Sequence, residues 1–319
     1  MNQLSIITGF LGGVKNRYIT YEPDRDLIEK FELAKQIKEL KGFELCYPAD
    51  FSDIDLLKKL LSDNGYGVSA VNVRTRRTGK WWRGSFTSSD RQERIDVADE
   101  IKQAMDATRE VGAARITTCP LNDGHDYVFE MNYIDAYRYA QETFADICAY
   151  DPGIRLCIEY KWNDPRTRCF FASAGETAAF CNAVGADNLG ATLDIGHSIQ
   201  TGERPAQAAA LLAQAGRLFY VHLNDNDRNF DWDLIPGAYN FWEFIEFFFY
   251  LKELGYCDDW YAYDVMSKEA DTVETFNTVF DITRKLERLA NNIDRSAVAK
   301  LTQERNPAKI MRFLYEKVI

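Results

Sequence analysis

The sequence predicts an α/β protein built as one (β/α)8 TIM barrel over residues 1–290, with a C-terminal helical extension over 291–319. Three observations predict it. Short apolar runs alternate with longer amphipathic stretches eight times, the number of units that closes a barrel. The length of 319 residues accommodates one such barrel, which needs roughly 250 residues, and leaves room for an extension. Ligand-type side chains also end several successive apolar runs, at the edge where barrels of this kind carry their sites.

In chain order, strands are expected at residues 4–8 (LSIIT), 42–46 (GFELC), 67–73 (GVSAVNV) and 115–119 (RITTC). Four more are expected at 154–159 (IRLCIE), 189–195 (LGATLDI), 218–223 (LFYVHL) and 259–264 (DWYAYD). Amphipathic patterns predict helices over 26–40, 54–64, 91–111, 133–150, 176–184, 205–215, 240–254 and 271–290. An open doubly wound sheet would be expected to carry a glycine-rich phosphate turn after an early strand. The GFLGG of residues 9–13 has the wrong spacing for one. Two segments fall outside the repeat. Residues 74–90 (RTRRTGKWWRGSFTSSD) form a basic, aromatic loop, long enough to be functional. Residues 291–319 are expected to be a helical tail that packs on the barrel or on a partner. The aromatic stretch 241–250 reads as core or as a contact surface.

A composition of 46% hydrophobic and 27% charged residues is that of a globular chain with a sizeable core. The net charge of −11 argues against nucleic acid, which demands a concentrated basic surface, and against anionic membranes. The seven cysteines are odd in number and scattered, with no CxxC pair, which predicts buried reduced thiols. No apolar run is long enough to span a bilayer and no leader pattern is visible, so a cytoplasmic location is expected.

The chemistry-bearing residues gather at predicted strand ends. The fifth strand ends in Glu159 and is followed by Tyr160 and Lys161, the sixth in Asp194 before Gly196 and His197, the seventh carries His222, and the eighth ends in Asp264. Each acid taken singly reads as a loop hydrogen-bond partner. Four at one level instead predict a metal site of three carboxylates and one imidazole, a donor set suited to Mn²⁺ first, with Mg²⁺, Co²⁺ or Zn²⁺ as other candidates. His197 with Asp231 and Asp233 forms either a second metal or substrate position or, for the acids, a solvated loop. His125, in NDGHDY after the fourth strand, is expected as a general base, since imidazoles titrate near neutral pH; the alternative is a loop histidine. Lys161 lies two residues beyond Glu159, on the same side of an extended strand, where it would hold a substrate oxygen unless it is a surface lysine. Trp81 and Trp82, with Arg74, Arg76 or Arg77, are expected to wall a flat substrate group or to dock another subunit.

The strings IEYK, LDIGHS, VHLNDND and DWDLIPGAYN resemble the xylose-isomerase-like barrels, the L-rhamnose isomerase pattern in particular. That resemblance implies Glu159, Asp194, His222 and Asp264 as principal metal ligands. Epimerases of this superfamily use paired glutamates; the shorter Asp264 departs from that pattern. A zinc nuclease of the superfamily would be expected to show more histidines than the three present and a basic face. Together with RRTGKWWRGSFTS, EYKWNDPR and HLNDNDRNFDWD, the histidine of NDGHDYVFE makes the chain most similar to the barrel subunit of bacterial C-glycoside deglycosidases. This further resemblance implies cleavage of the carbon–carbon bond of 3-oxo-C-glucosides, and a small β-sandwich partner subunit. The alternative is an aldose–ketose isomerase or epimerase working through an enediolate.

Overall fold

The structure is a computed structural model, and it describes residues 1–16, 18–77, 79–268 and 270–319. Eight strands form the barrel: β1 (Gln3–Ile7), β2 (Leu40–Tyr47), β3 (Gly67–Val73), β4 (Arg115–Thr118), β5 (Arg155–Glu159), β6 (Leu189–Asp194), β7 (Leu218–Leu223) and β8 (Trp260–Tyr263). They pair in sequence order, every pair parallel, and β8 returns to β1 with Gln3 opposite Trp260. The strands are buried almost throughout, because helices cover their outer faces and side chains fill the inside. That double burial is why they read as continuous apolar runs.

The covering helices are α1 (Leu27–Ala34), α2 (Ile54–Asn64), α3 (Arg91–Glu110), α4 (Tyr133–Tyr150), α5 (Ala174–Val184), α6 (Pro205–Gln214), α7 (Phe241–Glu253) and α8 (Thr272–Asn291). Most begin on a side-chain cap that satisfies an otherwise orphaned N–H group. Asp26 and Glu29 make a capping box at α1, while Asp53, Asp90, Asn132, Ser173 and Asp271 cap α2, α3, α4, α5 and α8. One expected boundary moves. The first helix ends at Ala34 rather than at 40, because Glu39 takes a left-handed conformation (φ 60°) and Leu40 and Lys41 join β2. The aromatic helix α7 faces inward: Phe244, Phe247 and Phe248 are buried core. Two further helices follow, α9 (Arg295–Glu304) and α10 (Pro307–Val318), and Tyr315 of α10 rests on Trp242 with ring centroids 5.3 Å apart. Among the described residues, no helix is long and apolar enough to cross a membrane.

At the N-terminal end of the barrel Arg115 is buried, donating to Asp259 Oδ1 (2.6 Å) and to the Phe219 carbonyl (3.1 Å). The opposite, C-terminal end is where the polar side chains collect.

Candidate metal centre

The register of four neighbouring strands assembles the centre. Asp194 lies opposite His222, and His222 opposite Ala262, two residues before Asp264; Glu159 lies opposite Thr192, two residues before Asp194. One ligand atom from each of Glu159, Asp194, His222 and Asp264 lies within 4.8 Å of all the others. His222 Nδ1 faces Glu159 Oε1 at 3.1 Å and Asp194 Oδ2 at 3.9 Å. The first three residues are buried and Asp264 is half-buried.

His222 and Asp194 are held from behind. His222 Nε2 meets Glu44 Oε2 at 2.9 Å, and Glu44 Oε1 accepts a hydrogen bond from Asn72 (2.7 Å). An acid on the far nitrogen fixes the ring orientation and turns Nδ1 towards the shared centre. Asp194 accepts from the His197 N–H (2.8 Å), capping the short helix Ile195–Gln200, and from the Asn224 amide (2.7 Å). Gly196 fits there because a Cβ would stand far inside contact distance of Asn224 Oδ1.

The charges are crowded when no cation is present. Burial pushes the Asp194 carboxyl up to about 6, helped by Glu159 and opposed by His197. Burial, then Glu159 and Asp194, push Asp264 up to about 8. Burial acts the same way on Glu159, but His222 outweighs it and holds that carboxyl down at about 2. Burial disfavours charge on His222, yet Glu44 and Glu159 raise it well above the ordinary imidazole range. The protons on His222 and Asp264 thus supply the positive charge that the donor set calls for. With three carboxylates and an imidazole already converging, a hard or borderline divalent cation fits the site.

Beside it lies a cavity of about 400 Å³, lined among others by Arg74, Arg76, Cys119, Lys161, His197, Asp231 and Asp233. Lys161 is buried and bonds Asp231 Oδ2 (2.9 Å) and Asp164 Oδ2 (3.3 Å); burial disfavours its charge, but Asp231 keeps it firmly protonated. His197 Nε2 also meets Asp231 Oδ2 (3.1 Å), and with Asp194 and Asp231 overcoming burial, the ring is raised to about 9. Asp231 is therefore already neutralised by two of the chain's own cations, and a second metal on it would have to displace Lys161. Asp233 differs. Its carboxyl makes no hydrogen bond among the described residues, its backbone is left-handed (φ 50°), and burial with Asp231 and Asp264 nearby raises it well above the usual range.

Three expected residues lie elsewhere. His125 pairs with Arg168 in a two-residue antiparallel ribbon (Gly124–His125 with Arg168–Cys169), its ring against Tyr133 at 5.3 Å, and it does not line the cavity. Trp81 is only 2% exposed and packs in the core under Lys80. Trp82 is exposed and borders a separate hollow with Arg83, Glu130 and Tyr139. The 74–90 loop is not free. Phe86 is buried against Phe144 (4.4 Å), and Asp123 accepts from the backbone and hydroxyls of both Ser85 and Thr87 at 2.6–3.0 Å. The aromatic wall of the cavity comes from Phe10 and Phe230 instead.

Attention to strand ends alone missed Glu44. The signal was present, as an acid in the middle of the apolar run GFELC; a buried charge there needs a partner.

Fold and centre together define a class of barrel, and the chain belongs to the xylose isomerase-like TIM barrel family, whose model matches residues 31–281. It is 28% identical over 189 residues to a xylose isomerase from Thermus thermophilus, a match covering 57% of this chain and 49% of that enzyme. The chain thus spans about half the length of the curated relatives it matches. Among solved structures, it resembles an L-ribulose 3-epimerase (TM-score 0.71, 20% identity, 95% of this chain and 98% of that one). It also resembles a 3-keto-D-glucoside 4-epimerase from E. coli (TM-score 0.69, 14% identity, 89% and 99% covered). At those identities the structural likeness speaks for the fold.

Proposed function

We propose that this chain is a metal-dependent enzyme that removes a proton beside the carbonyl of a sugar, with a 3-oxo-C-glucoside as the substrate and a C–C-bond cleavage as the outcome. The observation that carries it is the convergence of Glu159, Asp194, His222 and Asp264 beside a polar cavity of about 400 Å³, a volume suited to a small polar ligand. A divalent cation, Mn²⁺ first, held by those four would supply Lewis-acid stabilisation to adjacent carbonyl and hydroxyl oxygens of the sugar.

The chain's own groups supply the rest. Lys161, kept charged by Asp231, donates to a substrate oxygen that gains charge as the proton leaves. Asp233, whose carboxyl makes no hydrogen bond among the described residues and which lines the cavity, takes the proton from carbon 2 once ionised. It replaces His125 in that role. The electron pair of the C2–H bond, delocalised on to the C3 oxygen, then forms the C1–C2 double bond as the bond from C1 to the aglycone breaks. The aglycone carbon takes up a proton. Phe10 and Phe230 contact the aryl ring, and Arg74 and Arg76 its phenolic oxygens. The small β-sandwich partner belongs to this proposal too.

A second outcome is favoured by the sequence match to a xylose isomerase: the same proton abstraction followed by reprotonation, giving an isomer or epimer. Incubation of the manganese-loaded chain, alone and with the proposed small β-sandwich subunit, with a 3-oxo-C-glucoside and with free aldoses separates the two. Aglycone release supports the lyase, and ketose formation without aglycone release replaces it with the isomerase. Asp233→Asn is expected to lower turnover by about 100-fold or more, the range for a general base, whereas His125→Ala stays within a few-fold of wild type. The opposite ranking would return the base to His125.

A further inference from the structure

Cys119 is a residue that the proposed reaction leaves unused. It follows β4 directly, is buried, and lines the same cavity. Its thiol, a carboxylate oxygen of Glu159 and a ring nitrogen of His197 lie within 4.8 Å of one another. A lone buried thiol is ordinarily inert. What singles this one out is His197, 3% exposed, whose Nδ1 is buried without a hydrogen-bond partner while Nε2 is held by Asp231. An imidazole oriented by a carboxylate on one nitrogen and bare on the other is arranged as a metal ligand.

We propose that Cys119, His197 Nδ1 and Glu159 form a second cation position, selective for thiophilic ions such as Zn²⁺ or Cd²⁺, with Glu159 shared between it and the oxygen-rich centre. A tetrahedral ion with bonds of roughly 2.0 to 2.3 Å keeps its donors about 3.5 Å apart. Glu159 Oε1 and His197 Nδ1 already stand at 3.6 Å, so Cys119 closes in by about 1 Å to complete the set. The fourth position opens to the cavity, where water or a substrate oxygen completes the tetrahedron. On binding, the thiol and imidazole protons leave to solvent and sulfur becomes a thiolate ligand. Soft thiolate separates the two positions chemically: Mn²⁺ and Mg²⁺ prefer the carboxylate-rich one, and thiophilic ions take both. An ion on Cys119 and His197 also fills part of the cavity, so such ions inhibit where Mn²⁺ activates.

This site shares Glu159 with the proposed reaction centre but is tested without any assay of turnover. The metal-free chain, in a Cys257→Ser background that removes the exposed thiol, is titrated with Cd²⁺ while the ultraviolet sulfur-to-cadmium charge-transfer band and bound metal are recorded. Two equivalents are expected, one accompanied by the band. Cys119→Ser is expected to abolish the band and weaken that equivalent by roughly 100-fold or more, beyond the loss of an outer partner. His197→Gln weakens it while leaving the protein folded by circular dichroism. Asp264→Asn removes the other equivalent and keeps the band. Absence of the band from the parent, or its persistence in Cys119→Ser, overturns the second position and leaves the first intact. A parent that binds only the equivalent with the band, and none that depends on Asp264, overturns the metal centre of the proposed reaction instead.

Discussion

At the scale of single residues, the centre depends on groups behind the ligands as much as on the ligands. Glu44 is the clearest. It is fully buried, it holds His222 Nε2 and it is itself held by Asn72. Without it the imidazole is free to rotate or to present the wrong tautomer. Glu44→Ala is therefore expected to weaken Mn²⁺ binding about 10- to 100-fold, with Glu44→Gln recovering part of the loss because its amide oxygen still accepts from the ring. Isothermal titration of the metal checks both, and equal affinity in Glu44→Ala would remove Glu44 from the site. The clustering of the four side chains was legible because strand ends are where a barrel collects polar groups: Glu159, Asp194 and Asp264 each follow an apolar run directly. Glu44 was not, because a mid-strand acid is interpretable only once the strand opposite is known to bring a histidine to it. The placement of His125 outside the cavity was not legible for a related reason. Its position after β4 was read correctly, but pairing with Arg168 in a ribbon carries the side chain out of the cavity, and that pairing is set by residues 43 positions away.

At the scale of elements, the loops over the barrel are fastened rather than loose. Asp123 binds the 74–90 loop through four hydrogen bonds from Ser85 and Thr87. Burial alone would push its carboxyl up, and those donors work against that. Removing it leaves buried donors unpaired, so Asp123→Ala is expected to cost on the order of 4 kcal/mol at roughly 1 kcal/mol per bond. Urea denaturation measures the loss, and limited proteolysis is expected to cut the variant between Gly79 and Ser89; an unchanged midpoint would show that the loop holds without this anchor. The tryptophan pair looked functional in the sequence because exposed aromatics in a long loop usually are. A left-handed turn at Trp81 (φ 52°) instead sends that ring into the core and leaves only Trp82 outside. All eight barrel strands and the helices between them were readable from periodicity, since each strand is buried on both faces and each helix on one.

At the scale of the whole molecule, the barrel concentrates ionisable groups at one end, where the proposed cation would balance the acids. In the metal-free protein, Asp194 and Asp264 titrate near 6 and 8, above their ordinary 3.8, and His197 near 9, above its ordinary 6.5. The folded chain therefore binds more protons than the unfolded one from about pH 4 to 9 on these groups, and its stability falls as pH rises through that window. A bound divalent ion replaces those protons, so its benefit grows with pH. At about 100 times the dissociation constant an ion contributes about 2.7 kcal/mol, or about 5 °C in Tm for a chain of this size. The gain is expected to be larger at pH 8.5 than at pH 6 when measured by calorimetry at one fixed Mn²⁺ concentration, because the apparent dissociation constant falls as the competing protons leave. A gain that shrinks with pH would mean that the ion does not displace protons from these groups.

The space at Gly196 carries a consequence for variation. Asn224 occupies the volume where any other residue would put its first side-chain carbon, and Asn224 in turn steadies Asp194. One methyl group at 196 would therefore be felt two contacts away, as a misaimed carboxylate. If that codon were randomised and the clones sorted by retained manganese, the survivors should carry glycine, and recovery of alanine clones with full metal content would show that the turn has more give than its packing implies.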